Sequence, residues 1–326
     1  MQGRRPGQAH GLRLVGVDVP GLCLFFGVIV PSLAVVSFFG GFAWKAIGWA
    51  RSPVPFHIPI TCGQQRSLPW IRSNRLDNPH TPMGAALRVA LAVLLFRPLL
   101  RNTMTEIYAG PKLTYAPSRW LWLFAVMFHW SMLVIVLRHL RLFVEPVPAW
   151  VLTLQRFDRF FEVGHPVIHA STVLFVLGLG LLLLRRLSSP QLRYISILND
   201  YFPLFLLLGI GATGTLLRHY SNSDAAAIKE FVMGLVTLSP LAVSGIPALF
   251  YVHLFLVSVL LAYFPWSKLM HMPGVLMSPT LNLANNSRAV RHVNPWNPPV
   301  GVHSYAEYED EFRGRMIEAG LPVDKL

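Results

Sequence analysis

Four of the twelve histidines fall in two pairs within or beside long apolar stretches: His129 with His139, and His253 with His271. An ionisable side chain in such a stretch is costly to bury, so it is a functional hypothesis by default. His129 and His139 lie ten residues apart, which separates them by about 15 Å along a helix axis. His253 and His271 lie eighteen residues apart, which is about five helical turns and returns both imidazoles to one face.

Two helices that each offer two imidazoles at two depths provide the ligands for two stacked haems. Iron with two histidine ligands has no open position, which favours electron transfer over oxygen activation. If the two helices are antiparallel, His139 pairs with His253 near the outer surface and His129 pairs with His271 near the inner one. The alternative is that each histidine only forms a hydrogen bond to a neighbouring helix.

The two histidine intervals are unequal, so one of them must be adjusted. Pro265 and Pro273 flank the approach to His271. A kink or an unwound turn between them is expected to shorten the second interval.

Other charged and titratable residues lie close to His139 or at the same predicted end of the bundle. Arg138 and Arg141 bracket His139 and are candidates to neutralise haem propionates, although arginines also extend towards a membrane edge without any cofactor. His165 and His169 lie four residues apart at the outer end of the third apolar stretch. Without a carboxylate or cysteine cluster beside them, they favour a propionate or quinone site over a metal site, with plain helix packing as the alternative.

The remaining histidines suggest no site. His219 follows Arg218 and is expected to be structural. The others lie in polar segments and are expected to be solvated or locally hydrogen-bonded: His10, His57, His80, His292 and His303.

Five stretches are apolar enough to position these residues inside a membrane, whose hydrocarbon core of about 30 Å is crossed by about 20 residues. Of the 326 residues, 53% are hydrophobic and 13% are charged, against about 25% charged in soluble domains. The sequence therefore predicts an all-α membrane protein, a five-span helical bundle that holds two b haems. The predicted spans are Leu22–Ala43, Trp120–Leu137, Pro166–Leu184, Ile195–Leu217 and Pro247–Phe264.

Two further apolar segments are predicted not to span the membrane. Gly84–Leu100 contains two arginines, so we expect an amphipathic loop helix on the membrane surface. Phe231–Ser244 is short for a span and fits a re-entrant or interfacial segment. If it did span, the second and fifth spans would be parallel, and the pairs would switch to His129 with His253 and His139 with His271.

The formal charge of +13 indicates membrane topology rather than nucleic-acid binding, because the arginines fall between apolar runs. Inner loops of membrane proteins carry excess Lys and Arg. With the N-terminus outside, 19 of the 28 Lys and Arg residues fall in inner segments. The sequence therefore predicts an outer N-terminus and a cytoplasmic C-terminus. A disulfide between Cys23, in the first span, and Cys62, in a basic loop, is not expected.

The two histidine spacings and the five spans, from Leu22 to Pro273, resemble the membrane cytochrome b (gamma) subunit of respiratory nitrate reductase. In that family the corresponding histidines ligate two b haems, and quinol is oxidised close to the outer one. The resemblance implies the same cofactors and substrate here, in the inner (cytoplasmic) membrane of a prokaryote.

Longer segments are similar to the M subunit of Dsr complexes, which are membrane complexes of dissimilatory sulfur metabolism: Pro59–Ile71, Arg75–Pro82, Lys268–Arg288 and Asn294–Met316. This resemblance implies a cytoplasmic iron–sulfur partner similar to the catalytic subunit of heterodisulfide reductases, with a small cysteine-bearing sulfur carrier beyond it. It also implies an outer multihaem cytochrome c, an outer iron–sulfur protein and a second quinone-interacting membrane subunit. Alternative functions are the gamma subunit of a nitrate-reductase-type complex, a proton or ion transporter without haem, and a structural anchor.

The chain divides into an N-terminal extension (1–21), a membrane cytochrome b domain (22–273) that includes a basic cytoplasmic loop (48–119), and a cytoplasmic tail (274–326). The tail contains an acidic stretch, Tyr305–Glu318, that is predicted to be a solvated helix. Because it follows the inner histidine His271, we expect it to dock to the cytoplasmic partner.

Overall fold

A computed structural model describes residues 19–52, 66, 68–100, 104–108, 110, 112–159, 168–221, 224–239, 245–286, 299 and 301–325. Helices make up most of these residues. In chain order they are α1 (Val19–Leu24), α2 (Val30–Arg51), α3 (Pro82–Leu95), α4 (Arg119–His139), α5 (Ala149–Asp158), α6 (Ala170–Ser188), α7 (Pro190–Ile195), α8 (Leu198–His219), α9 (Ala225–Val236), α10 (Ala248–Tyr263), α11 (His271–Met277), α12 (Pro279–Asn282) and α13 (Tyr305–Glu318). Cys62 and the N-terminal residues 1–18 lie outside the described residues.

Five helical segments among the described residues are long and apolar enough to cross a membrane: Gly21–Arg51, Arg119–Leu142, Ala170–Ser188, Leu198–His219 and Ala248–Trp266. The predicted all-α class with five spans is confirmed. The first segment is continuous because a π-helical turn, Phe25–Ile29, joins α1 to α2. This turn lies just before Pro31, whose missing N–H removes one backbone hydrogen bond of the helix.

The spanning helices pack mainly on their neighbours in the chain. α4 packs on α6, α6 on α8, and α8 on α10, while α2 covers α10 from the other side. Gly178 allows α6 to approach the backbone of α4 closely, because a Cβ there would lie 3.0 Å from the backbone nitrogen of Phe128. Two spanning helices, α6 and α8, lie between α4 and α10 in the chain, so α4 and α10 are antiparallel. His139, where α4 ends, and His253, near the start of α10, therefore share one end of the bundle, here called the His139 end; the opposite end is called the His129 end.

The loop between the first two spans contains a short β-hairpin that the sequence analysis did not predict. Strand β1 (Met104–Tyr108) pairs antiparallel with β2 (Lys112–Ala116), with Met104 opposite Ala116. Gly110 lies between the strands with a φ of +87°, which glycine adopts without strain. The hairpin does not change the all-α class, because it lies outside the bundle of spans.

The predicted loop helix is α3. Thr81 caps its start, because the Thr81 hydroxyl accepts a hydrogen bond from the Gly84 N–H. Its length is short for a span. Arg88 does not extend away from this helix towards solvent: it is buried and donates to the carbonyl oxygens of Leu281, at 2.6 and 3.0 Å, and Leu283, at 2.9 Å. We call this contact the Arg88 clamp.

A second contact joins the same two parts of the chain. The Asn285 N–H donates to the Pro79 carbonyl at 2.7 Å, and its side-chain amide bonds to Asn78. Both asparagines are buried. The segment 278–286 is therefore packed on the loop between the first two spans. These residues belong to the tail that was expected to begin at residue 274.

The apolar segment expected to be re-entrant or interfacial begins earlier than predicted, as helix α9. Asp224 caps it by accepting from the Ala226 N–H at 2.8 Å. Phe231 and Ile228 pack against Phe250 in one hydrophobic cluster at the His139 end. At 12 residues, α9 is too short to be one of the five candidate spans, so the crossings between α4 and α10 remain even in number.

The acidic helix of the tail is present as α13, with the predicted bounds, but one of its acids is not solvated. Glu309 is 1% exposed and accepts hydrogen bonds from the backbone N–H groups of Asp324 and Lys325. The bond from Lys325 lowers the pKa of Glu309, which keeps the carboxylate charged at neutral pH. The chain end is thereby folded back on α13, while Glu307, Asp310 and Glu311 face solvent.

Candidate functional site

His129 and His271 are brought together at the His129 end of the bundle. Their ring centroids lie 6.0 Å apart, and the rings are nearly perpendicular, at 84°. Helix α10 ends at Tyr263, one residue before the predicted end of the fifth span, so it does not continue to His271. Two short 3-10 turns, Phe264–Trp266 and Lys268–Met270, lead to His271. The expected unwound turn is thus where the proline pair indicated it.

His139 and His253 lie together at the His139 end, where their imidazoles are close enough to interact electrostatically. His253 projects from the second turn of α10 and is half-buried. His139 is the last residue of α4 and is exposed on the surface of the isolated chain, as is His271 at the start of α11. Exposure at both positions follows from their places at helix ends.

In all four imidazoles Nδ1 is the ring nitrogen that forms a hydrogen bond to the protein. Nδ1 of His129 and of His139 each donates to the carbonyl four residues earlier in α4, at 2.7 Å. Nδ1 of His271 donates to the Lys268 carbonyl at 2.9 Å, and Nδ1 of His253 bonds to the Thr213 hydroxyl at 2.9 Å. Nε2 has no hydrogen-bond partner in any of the four among the described residues. Metal-binding histidines characteristically bond one ring nitrogen to the protein and present the other to the metal.

The spacing of the rings and helices fits a flat, metal-centred group. A metal–imidazole bond is about 2 Å long, so a metal ion between two imidazoles holds their ring centroids about 6 Å apart. His129 and His271 have this separation. Helices α4 and α10, whose residues are all described, do not pack closely on each other as α4 does on α6 and α8 does on α10. The donor set, four imidazoles in two facing pairs, is one that b-type haem uses.

Neighbouring residues hold the two histidines of the His129 end in place. The ring of Phe96 lies 4.8 Å from that of His129, and Phe96 ends α3 with a left-handed φ of 51°. On the other side, Lys268 supplies the carbonyl that orients His271, and its ammonium group pairs with Asp200 of α8 at 2.6 Å. The position of His271 is thus tied to the start of the fourth span.

At the His139 end, Arg138 is engaged by protein groups. Its guanidinium pairs with Asp158 and donates to the Ser171 hydroxyl at 3.0 Å. The Ser171 N–H and hydroxyl both donate to Asp158, at 2.8 and 2.7 Å. Arg141 donates to the Gln155 side chain at 3.2 Å. This buried network ties the end of α4 to α5 and to the start of α6.

His169 lies beside this network, immediately before α6. It is 1% exposed, and neither ring nitrogen has a hydrogen-bond partner among the residues that the structure describes. Burial, together with the positive charges of Arg138 and Arg218, lowers the pKa of His169 to about 3, so its imidazole is neutral at physiological pH. His165, expected to act with it, lies outside the described residues.

Comparison with known proteins identifies the group to which this arrangement belongs. The model of the nitrate reductase gamma subunit family matches residues 89–292, a range that includes all four histidines. The chain belongs to this family. The resemblance that the histidine spacings suggested is therefore confirmed at the level of the superfamily.

Two relatives in the family are similar over most of their lengths. An Hdr-like menaquinol oxidoreductase cytochrome b-like subunit from Archaeoglobus fulgidus is 43% identical over 282 residues, which cover 84% of each chain. The protein of the same description from Archaeoglobus profundus is 39% identical over 282 residues, covering 84% of this chain and 83% of the relative. Both descriptions are of a cytochrome b-like subunit.

Several contacts around the histidines were not found from the sequence. Asp158 and Thr213 gave no signal, because a lone acid and a threonine in apolar surroundings have no distinctive spacing. Arg88 gave a misleading one, since a cation in an apolar helix suggests the surface of a membrane. Two of its carbonyl partners, Leu281 and Leu283, are almost two hundred residues away in the chain, beyond the reach of any local pattern.

Proposed function

We propose that the chain is the dihaem cytochrome b subunit of a membrane complex that passes electrons between the quinone pool and a cytoplasmic iron–sulfur partner of heterodisulfide-reductase type, in dissimilatory sulfur metabolism. The observation that carries this proposal is the arrangement of the four imidazoles, each with Nδ1 bonded and Nε2 left for a metal. The descriptions of the two relatives as menaquinol oxidoreductase subunits support the quinone assignment.

In this proposal His139 and His253 hold one haem, and His129 and His271 hold the other. When bound, the two haems supply one-electron carriers at two depths of the bilayer. In each imidazole the Nδ1–H would be donated to the bonded oxygen and Nε2 would be left for the iron, so these hydrogen bonds would orient the rings that hold the haem. Two histidine ligands at each iron leave no position for oxygen chemistry.

The quinone site of the proposal lies at the His139 end, which we place on the outer side from the distribution of Lys and Arg. His169 is suited to accept a hydrogen bond from a quinol hydroxyl, because its imidazole is buried and neutral and has no hydrogen-bond partner among the described residues. The cationic Arg138 and Arg141 lie near His139 and would favour binding of the haem propionates. Arg138 also has a structural role, because it bonds to Asp158 and Ser171.

The remaining subunits of the proposed complex are those that the Dsr resemblance implies. They are the cytoplasmic iron–sulfur protein, an outer multihaem cytochrome c, an outer iron–sulfur protein and a second membrane subunit. The term Hdr-like in the relatives' descriptions supports the first of these. Copurification distinguishes it from a nitrate-reductase-type partner, which would bring molybdenum.

A haem count on the purified chain and on single histidine variants tests the function. We expect two b haems in the parent chain. His139→Ala and His253→Ala should each remove the same haem, identified by its midpoint potential, and His129→Ala and His271→Ala should each remove the other. His219→Ala is the matched control and should retain both, because His219 lies at the same end as His139 but outside both pairs.

Two results would overturn the proposal in different ways. A purified chain without a reduced b-type absorption band would favour a transporter that uses its intramembrane histidines for protons or ions. Loss of the same haem from His129→Ala and His253→Ala would preserve the cytochrome but reject the pairing.

A further inference from the structure

His253 is oriented differently from the other three candidate ligands. His129, His139 and His271 each bond to a backbone carbonyl three or four residues earlier in their own segment. Nδ1 of His253 bonds instead to the side chain of Thr213, at 2.9 Å, on the adjacent helix α8. The orientation of this one imidazole therefore depends on how two spans pack against each other.

The hydrogen bonds of Thr213 determine which way the proton points. Its hydroxyl lies 2.8 Å from the Gly209 carbonyl and 3.1 Å from the Ile210 carbonyl. A carbonyl only accepts, so the single hydroxyl proton is donated to the backbone of α8. The Thr213 oxygen then accepts from His253, which requires Nδ1 to be protonated and leaves the lone pair on Nε2.

Gly214, the next residue, gives the imidazole its space. A Cβ at this position would lie 3.1 Å from Cε1 of His253 and 3.6 Å from Nδ1. A side chain there would push on the ring itself. Thr213 and Gly214 together form a cradle on α8: one residue orients the ring by a hydrogen bond, and the other lets it approach the helix.

We propose that Thr213 and Gly214 are positioning residues that hold His253 with Nε2 directed to the iron of the haem at the His139 end. The proposal rests on the proposed function, since it assigns His253 as a ligand. A hydrogen bond from Nδ1–H makes an imidazole a stronger donor to metal, and partners of this kind typically contribute about 10- to 100-fold to metal affinity. A stronger donor favours the ferric state and lowers the midpoint potential of the haem.

Thr213→Val tests the hydrogen bond, because valine keeps the shape of threonine and lacks the hydroxyl. Haem loss from the purified protein to an excess of apo-globin is expected to be about tenfold faster or more at the His139 end. The midpoint potential of that haem should rise, while the haem of the His129 end is unchanged. Thr213→Ser keeps the hydroxyl and should restore both properties.

Thr215→Val is the matched control for this test. Thr215 lies on the same helix, and its hydroxyl bonds to the Gly211 carbonyl at 2.7 Å without contacting a histidine. If Thr213→Val and Thr215→Val change haem loss and potential equally, the positioning role of Thr213 is rejected.

Gly214→Ala tests the other half of the cradle. It should lower haem occupancy at the His139 end, because the added Cβ lies too close to the ring. Gly209→Ala is its control on the same helix, since a Cβ there would only touch Leu256 at 3.6 Å. Equal occupancy in the two variants would contradict a close fit at Gly214.

The failure of this proposal can be separated from failure of the proposed function. If His253→Ala retains both haems, His253 is not a ligand and the function as proposed fails. If His253→Ala loses one haem but both Thr213→Val and Gly214→Ala behave like their controls, the function stands and the cradle is rejected.

Discussion

Burial without a hydrogen-bond partner among the described residues distinguishes His169 from the four candidate haem ligands. Leaving two polar ring atoms buried and unpaired costs free energy, typically about 1–3 kcal/mol for a polar group. A bound ligand is one way in which a protein satisfies such a group. Under the proposed function, that ligand is a quinol hydroxyl beside the Arg138–Asp158 network.

His169→Leu is therefore expected to separate quinol oxidation from haem binding. Quinol-driven reduction of the haems should fall by about tenfold or more, because the quinol hydroxyl loses its hydrogen-bond acceptor. Reduction by dithionite should still give the full b-type spectrum. Stopped-flow absorbance with a soluble quinol analogue provides the measurement, with His219→Leu as the control. An unchanged rate of quinol-driven reduction would remove His169 from the site.

At the scale of single residues, the sequence identified polar side chains that are costly to bury, because they stand out within apolar stretches. The four histidines lie in apolar stretches at helical spacings, and the structure brings them into two groups. Their hydrogen-bond partners were not predictable in the same way. Thr213 contacts His253 across 40 residues of chain, and such a contact depends on which faces of two helices meet.

Among the elements, α3 is fixed by a buried cation. Arg88 is buried and donates to carbonyls of the segment after α12 and of α12 itself, whereas Arg97, just after the same helix, is partly exposed and pairs with Asp77. A hydrogen bond to a charged group contributes about 1.5–3 kcal/mol, but an ion pair that solvent partly screens contributes about 0–1 kcal/mol. The two arginines should therefore differ in importance although they look alike in sequence.

Arg88→Met is expected to lower the free energy of unfolding by about 3 kcal/mol, because the carbonyls of Leu281, Leu283 and Asp77 lose their donor. Arg97→Gln, the matched control, should lower it by less than about 1 kcal/mol. Thermal unfolding in detergent, followed by tryptophan fluorescence, gives the comparison. Limited proteolysis should also cut the segment 278–286 faster in Arg88→Met only. Equal destabilisation by both substitutions would contradict the Arg88 clamp.

Element types were predictable wherever apolar length alone decides the outcome. All five spans were predicted, with ends that differ by a few residues at most positions. The largest difference at an end is in the first span, which continues to Arg51 because Lys45 did not terminate it. The β-hairpin was not predicted, since its two strands are short and lie in a loop without strong alternation. The end of α10 at Tyr263 was anticipated only through Pro265.

For the whole molecule, the tail offers a surface that is separate from the bundle. α13 and the chain end fold on each other through Glu309, while most of the remaining acids of this helix face solvent. This arrangement presents a pre-formed acidic helix after the His129 end. It suits a partner with a basic surface, which we infer to be the cytoplasmic iron–sulfur protein.

Deletion of residues 301–326 is expected to release that partner while leaving both haem spectra and membrane insertion intact. Copurification from membranes, with the haem spectrum as internal control, measures both effects. Charge-neutralising substitutions at Glu307 and Glu311, which leave Glu309 in place, should weaken copurification in the same direction. A truncated chain that still retains its partner would exclude the tail as the docking element.

The Arg88 clamp also has a consequence for biosynthesis. It joins residues that are 193 and 195 positions apart in the chain, so it can close only after residues 281–283, which follow the last span, have been synthesised. Until then Arg88 lacks these two carbonyls and has only nearer groups, such as the Asp77 carbonyl at 3.4 Å. Closure of the clamp therefore marks a chain whose five spans have all been synthesised, and a protease that samples nascent chains should cut the loop more slowly in completed molecules.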